Sequence, residues 1–140
     1  MKRGNGMSDA QSLVKKTDFV FFPITSFEQA DEFYAGILGL ERSKRYGNDL
    51  GGEYETGSLT IQLVDVAKIG REHMPSSGAI ALHVDDVAVA RAELESKGIE
   101  FEGEIMDSGV CHMAFFADPD GNALILHHRY APPGARPPQA

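Results

Sequence analysis

The chain has 140 residues and a net charge of −8, with 42% hydrophobic and 24% charged residues. This composition is typical of one globular domain, and the negative charge argues against nucleic acid, which is bound by clustered Lys and Arg. The single cysteine excludes an internal disulfide and a cysteine-rich zinc site. We see no apolar run near the ~20 residues of a membrane-spanning helix and no secretory signal, so we expect a cytoplasmic protein.

The two ends of the chain differ in composition from its middle. Residues 1–15 and 131–140 are rich in Gly, Pro and polar residues, which predicts a mobile N-terminal segment and a disordered tail. We expect a single domain over residues 16–130. Within it we place one module at about 17–66, a linker at about 67–77 and a second module at about 78–128.

The first module opens with TDFVFFPIT, an aromatic and β-branched run that predicts a strand. SFEQADEFYAGILG follows, with Ser26 and Gln29 in capping-box spacing, apolar residues at helical spacing and a plausible stop at Gly39. EYETG and SLTIQLVDV then predict two strands around a turn at Gly57 and Ser58. The order predicted is a strand, a helix and further strands.

The second module repeats this order. AIALHV predicts a strand, and DDVAVARAELESKG predicts a helix that is capped by Asp85 or Asp86 and ends at Gly98. IEFEGEI predicts one more strand, and GVCHMAFFA and ALILHH predict a hairpin around the turn DPDGN. Each half therefore reads as β-α-β-β-β, and one helix covers only one face of its sheet.

Three segments together, FYAGILGL, LHVDDVAVARAELESKGIEF and FFADPDGNALIL, resemble the vicinal oxygen chelate superfamily. This superfamily includes glyoxalase I, extradiol dioxygenases and bleomycin-resistance proteins, and the resemblance covers residues 17 to 128. It implies an α+β fold of two tandem βαβββ modules that form a curved sheet around a concave cavity. It also implies a homodimer.

Strand alternation predicts which side chains face this cavity. In the first module it selects one aromatic and one polar pair, namely Phe19, Phe21, Thr60 and Gln62. In the second module it selects mostly small residues and two histidines, namely Ala79, Ala81, His83, Ala123, Ile125 and His127. The GVCHMAFFA strand is apolar on both faces, and we assign Val110, His112, Ala114 and Phe116 to the cavity and Cys111, Met113 and Phe115 to the packed face.

The resemblance also implies where a metal would bind. Metal-dependent members take His, Gln or Glu ligands from four places, which in this chain hold Phe19, Gln62, Ala79 and Ile125. Only Gln62 offers a lone pair, and one neutral amide does not hold a divalent ion. We therefore expect no metal and no other cofactor.

The histidines are the remaining route to chemistry. His83, His112 and His127 are predicted to face the cavity, where they meet ligand polar groups, act as a general base or form a metal triad. His128 is expected to finish a strand and His73 to be solvated. Asp118 and Asp120 are expected to serve the turn.

The leading hypothesis is a metal-free small-molecule-binding protein of the glyoxalase/bleomycin-resistance type, because the predicted cavity suits an apolar or aromatic ligand. The predicted ligand-binding residues are Phe19, Phe21, Gln62, Ala79, His83, His112, Ile125 and His127. The alternative is a lyase, isomerase or dioxygenase-like enzyme that uses the cavity histidines, with or without a metal. A third reading is a module that only dimerises or binds a protein partner. We expect a homodimer and no nucleic-acid or membrane partner.

Overall fold

The structure is a computed structural model that describes residues 12–137. The predictions for the two chain ends lie outside the described residues at 1–11 and 138–140. The described part contains two four-stranded sheets, which confirms the α+β class. Sheet one has the order β1-β4-β3-β2, and its strands are β1 Val20–Ile24, β2 Glu41–Arg45, β3 Gly51–Glu55 and β4 Thr60–Asp65. Sheet two has the order β5-β8-β7-β6, and its strands are β5 Ile80–His83, β6 Glu102–Asp107, β7 Cys111–Ala117 and β8 Ala123–Arg129.

The two sheets repeat the same pairing. The first strand of each module runs parallel to the last strand, β1 beside β4 and β5 beside β8, and the other neighbours are antiparallel. This places β1 and β5 at sheet edges, next to the strands that end their modules. A parallel pair needs a crossover connection, which the helix of each module begins.

The helices begin where their caps predict. α1 spans Phe27–Asp31, and the Ser26 hydroxyl accepts a hydrogen bond from the Gln29 N–H at 3.3 Å. The chain continues as a π-helix over Glu32–Ile37, so the predicted single helix changes its winding half-way. α2 spans Val87–Ser96, and the Asp86 carboxylate accepts a hydrogen bond from the Val89 N–H at 2.9 Å. Single 3₁₀ turns occupy Gly47–Asp49 and Val66–Ile69.

One hydrophobic core joins the two modules. It contains side chains from both sheets and from the helical segments of both modules: Phe22, Ile24, Phe27, Ala30, Phe33, Tyr34, Tyr54, Ile61, Leu63, Val87, Leu94, Ala114, Phe116, Leu124 and Leu126. Burial of one large apolar side chain contributes about 1.5–3 kcal/mol, so this shared core stabilises the modules against separation. Each sheet therefore has one face in the core and one face turned away from it.

The DPDGN turn between β7 and β8 fastens the second module to the first. The fully buried Asn122 amide donates hydrogen bonds of 2.8 Å to the Pro23 carbonyl and to the Asp118 carboxylate. The Asp120 carboxylate accepts bonds from the backbone N–H and the hydroxyl of Thr25, at 3.0 and 2.5 Å. Both aspartates thus serve the turn, as predicted, and they also connect it to β1.

The linker packs on this turn. The prediction of a solvated His73 is wrong, because its ring is half-buried and its Nε2 lies 3.1 Å from the Asp120 carbonyl oxygen. The Ser76 N–H donates to the Asn122 side-chain oxygen at 2.8 Å. The buried polar turn needs these partners, because an unmet buried donor or acceptor costs about 1–3 kcal/mol.

Among residues 12–137, no helix is long and apolar enough to cross a membrane.

Candidate functional site

Sheet one turns a mixed aromatic and polar face away from the core. Ile61 and Leu63 of β4 are fully buried on the core side, so alternation places Thr60 and Gln62 on the opposite face. We call this surface open face one. Its members are Phe19, Phe21, Glu53, Glu55, Thr60 and Gln62.

The strand register orders this face from aromatic to acidic. Gln62 of β4 lies between Phe21 of β1 and Glu53 of β3. Thr60 pairs with Glu55 in the neighbouring row, and Phe19 precedes β1. Phe19 and Phe21 expose 51% and 39% of their surface, although large apolar side chains gain free energy when buried. Open face one therefore offers two stacking rings beside two carboxylates.

A hydrogen-bond chain holds the first carboxylate in place. The Gln62 amide Nε2 donates to the Tyr46 hydroxyl oxygen at 2.8 Å, and the Tyr46 hydroxyl donates to the Glu53 carboxylate. Burial raises the pKa of Tyr46, and the bond to Glu53 raises it further. Tyr46 therefore stays protonated and keeps donating, so Glu53 has a fixed orientation with acceptor capacity left for a ligand.

The second carboxylate is also oriented. Glu55 accepts hydrogen bonds from the hydroxyls of Ser43 and Thr60, the latter at 2.6 Å. These bonds lower the pKa of Glu55 below its ordinary value, so it is ionised near neutral pH. The sequence analysis did not select Glu53 and Glu55 as site residues. The signal that places them at the site is their register opposite Gln62 and Thr60, which only the folded sheet reveals.

Sheet two turns an apolar face with two histidines away from the core. We call it open face two. Its two rows are His83, His127 and Met113, and Ala81, Ile125 and Phe115, in register across β5, β8 and β7. The His127 ring is half-buried, whereas the His83 side chain is 70% exposed. Ala79 precedes β5 and continues the alternation of Ala81 and His83.

The predicted facing of β7 was wrong. Ala114 and Phe116 are buried in the shared core, so Cys111, Met113 and Phe115 take the open face instead. His112 has the parity of Ala114 and lies on the helix side, where it lines a cavity of about 430 Å³ with Val87 and Ala88 of α2. It is 3.3 Å from the Asp107 carboxylate, and its ring packs on Tyr130 at 4.6 Å between centroids. His112 is therefore not part of open face two.

The remaining predicted site residues separate into two groups. Phe19, Phe21 and Gln62 lie on open face one, and Ala79, His83, Ile125 and His127 lie on open face two. The two faces belong to different sheets, with the shared core between them. One chain therefore presents two half-sites and does not bring their residues together in one cavity.

The residues present do not fit a divalent metal. At the four places implied by the resemblance, Phe19, Ala79 and Ile125 carry no donor atom, and the Gln62 amide nitrogen already donates to Tyr46. Within residues 12–137, no group of three or more His, Cys, Asp or Glu side chains is arranged to hold a metal ion. Structural and catalytic metal sites in proteins need at least three such ligands.

Comparison with known proteins gives the family. The sequence profile of the Glyoxalase/Bleomycin resistance protein/Dioxygenase superfamily matches residues 16–126. The chain belongs to this superfamily. A lactoylglutathione lyase from Schizosaccharomyces pombe (strain 972 / ATCC 24843) is 37% identical over 93 residues, which are 63% of this chain and 29% of that protein. The chain thus spans less than a third of the length of that relative.

Solved structures of other proteins share the fold. A glyoxalase/bleomycin resistance protein/dioxygenase from Nocardioides has a TM-score of 0.72 at 19% identity, over 94% of this chain and 93% of that one. TnmS3, an antibiotic binding protein from Streptomyces sp. CB03234, has a TM-score of 0.68 at 22% identity, over 85% of this chain and 99% of that one. These likenesses show two tandem βαβββ modules and nothing finer.

Proposed function

We propose that this superfamily member binds a neutral or cationic small molecule with an apolar or aromatic body, and that it does so without a metal. The observation that carries the proposal is open face one, where the exposed rings of Phe19 and Phe21 stand in register with the oriented carboxylates of Glu53 and Glu55. Aromatic rings supply stacking surface, and ionised carboxylates favour a cation. The net charge of −8 acts in the same direction.

We propose that a second copy completes the site. Open face one exposes Phe19 and Phe21, and open face two presents the half-buried Met113, Phe115 and Ile125. In addition, β1 and β5 are edge strands with unpaired backbone groups on one side. In a symmetric homodimer, open face one of each copy meets open face two of the other, which encloses two equal cavities. The ligand then lies between Phe21 and Glu53 of one copy and Ile125 and His127 of the other. We place this dimer in the cytoplasm.

A second candidate function is a lyase, favoured by the 37% identity to a lactoylglutathione lyase. The chemistry would fall to His127 and His83, which are neighbours in register on open face two. The residues at the superfamily metal position do not fit a metal, which argues against a metal-dependent lyase. Assay of the purified protein for formation of lactoylglutathione from glutathione and a 2-oxoaldehyde tests this alternative, and our proposal expects no formation above the rate without protein.

The proposal is tested with ethidium, a cationic aromatic dye whose fluorescence rises in apolar surroundings. We expect saturable binding with one site per chain. Phe21→Ser and Glu53→Gln should each weaken binding about tenfold, because one removes a stacking ring and the other a charge. Glu72→Gln, which removes the same charge from an exposed linker position, should change it less than twofold.

Wild-type protein without saturable ethidium binding would contradict the proposal. So would equal effects of Glu53→Gln and Glu72→Gln, since binding would then respond only to net charge. Urea unfolding of each variant checks that the fold is kept, which we expect because Phe21 and Glu53 lie outside the core.

A further inference from the structure

The two modules meet at two junctions that correspond to each other. Aligning the helix caps Ser26 and Asp86 pairs Tyr34 with Leu94. Aligning β4 with β8 pairs the turn 56–59 with the turn 118–122. In each turn the backbone N–H of the first residue donates to the carbonyl of the last, Thr56 to Leu59 and Asp118 to Asn122, both at 3.0 Å. The first junction joins Tyr34 and β1 to the turn 118–122. At the second, Leu94, β5 and the turn 56–59 line one cavity.

The first junction is filled by polar side chains of the protein. The Tyr34 ring lies in the core and its hydroxyl donates to Asp118 at 2.8 Å, while Asn122 bonds the Pro23 carbonyl. These contacts seat the turn firmly against β1 and the helical segment of the first module.

Among residues 12–137, the second junction has no counterpart to these contacts. Leu94 occupies the position that corresponds to Tyr34, and Leu59 occupies the position that corresponds to Asn122. The turn 56–59 is also one residue shorter than the turn 118–122. The Thr56 hydroxyl is already bonded to the Leu59 carbonyl at 2.9 Å. A cavity of about 480 Å³ remains at this junction.

The lining of this cavity is mostly aliphatic. Six leucines line it, namely Leu38, Leu40, Leu59, Leu82, Leu94 and Leu126. Polar groups come from Thr56, Ser58, His83 and Glu93, of which all but Thr56 are exposed. An aliphatic cavity of roughly 300–1,000 Å³ with a few polar groups is the usual form of a small-molecule site.

We propose that the second junction binds a small aromatic amine or phenol. The ring of the ligand takes the place that the Tyr34 ring fills at the first junction, and its amine or hydroxyl meets Glu93 or Ser58. The Glu93 carboxylate disfavours anions. This site borders open face two, with which it shares Ala81 and His83, but Phe21, Gln62, Ile125 and His127 do not line it.

The test uses N-phenyl-1-naphthylamine, a neutral aromatic amine that fluoresces when it leaves water, with the full chain. Wild-type protein should bind it saturably. Ala90→Leu fills the cavity from α2, and Ser58→Trp covers it from the exposed turn without touching the core. Each should weaken binding at least tenfold. Ala92→Leu, on the exposed side of the same helix, should change it less than twofold.

Phe21→Ser and Glu53→Gln should also leave this binding within twofold, which separates the junction site from the proposed function. The inference is overturned if the wild type shows no saturable binding up to the solubility of the probe. It is also overturned if Ala90→Leu and Ser58→Trp both bind the probe like wild type. A third contrary result is that Ser58→Trp dissociates a dimer, because a second copy of the chain would then be what covers the cavity.

Discussion

The Tyr34 hydroxyl donates a 2.8 Å hydrogen bond to the Asp118 carboxylate, across 84 positions of sequence and between the two modules. Tyr34 is fully buried and Asp118 is 5% exposed. Burial raises the pKa of both groups, although hydrogen bonds from Asn122 and Tyr34 favour the ionised form of Asp118. This bond, together with that from Asn122 to the Pro23 carbonyl, ties the DPDGN turn to the first module.

Replacing Tyr34 by Phe tests how much this hydrogen bond contributes to the stability of the fold. The ring stays in the core, but Asp118 loses a donor in a buried setting. We expect the free energy of unfolding in urea to fall by about 1–3 kcal/mol. Tyr46→Phe is the matched control, because it removes a hydroxyl that is only half-buried on open face one. It should cost about 1 kcal/mol or less, and equal losses in the two variants would contradict a special role for the Tyr34 bond.

The raised pKa of Asp118 predicts a pH dependence of stability. Its ordinary value is 3.8, and the folded state holds the proton to higher pH than the unfolded state. The contribution of this proton to stability is therefore complete below pH 3.8 and is lost as pH rises through the raised folded value. Asp118→Asn carries no such proton. Urea unfolding of both proteins should show the wild-type advantage shrinking as pH rises through this window, and an advantage that grew there would refute the assignment.

His127 and His112 form a matched pair on opposite faces of sheet two. His127→Ala should weaken ethidium binding about fivefold, because it removes a polar ring from open face two. His112→Ala should leave binding within twofold, since its ring lies on the helix side beside Asp107 and Tyr130. Fluorescence titration measures both. Weaker binding in His112→Ala but not in His127→Ala would place the ligand on the wrong side of the sheet for our proposal.

The misfit at the superfamily metal position predicts metal-independent binding. Protein never exposed to chelator should contain well under one divalent ion per chain by elemental analysis. Ethidium affinity should stay unchanged after dialysis against EDTA and after addition of zinc or nickel. Stoichiometric metal that requires Gln62 for retention would contradict this, and Gln62→Leu provides that comparison.

Much of the fold could be predicted because apolar alternation is one-sided in most strands. Ile61 and Leu63 alternate with Thr60 and Gln62, and this pattern placed both faces of β4 correctly. The predicted faces of β7 were wrong because CHMAFFA is apolar on both faces, so alternation does not indicate which face is buried. ERSKR of β2 carries no strand signal, since all five residues are exposed and show no apolar period.

The site was harder to predict than the fold. Glu53 approaches Gln62 and Tyr46 only through strand register and a 3₁₀ turn, and neither leaves a local sequence signal. The separation of the two open faces depends on how the modules share one core. That arrangement rests on long-range contacts such as Tyr34 to Asp118, which a residue pattern does not encode.

The central claim is that open face one of one copy and open face two of another form the ligand site, and mixed dimers test it most directly. Phe21→Asp and Ile125→Asp should each form dimers by light scattering and each lose ethidium binding. After equal mixing and subunit exchange, half of the dimers are hybrids, and each hybrid has one site with both changes and one with neither. The account predicts recovery of roughly a quarter of wild-type binding sites. No recovery in a mixture shown to contain hybrids would contradict it.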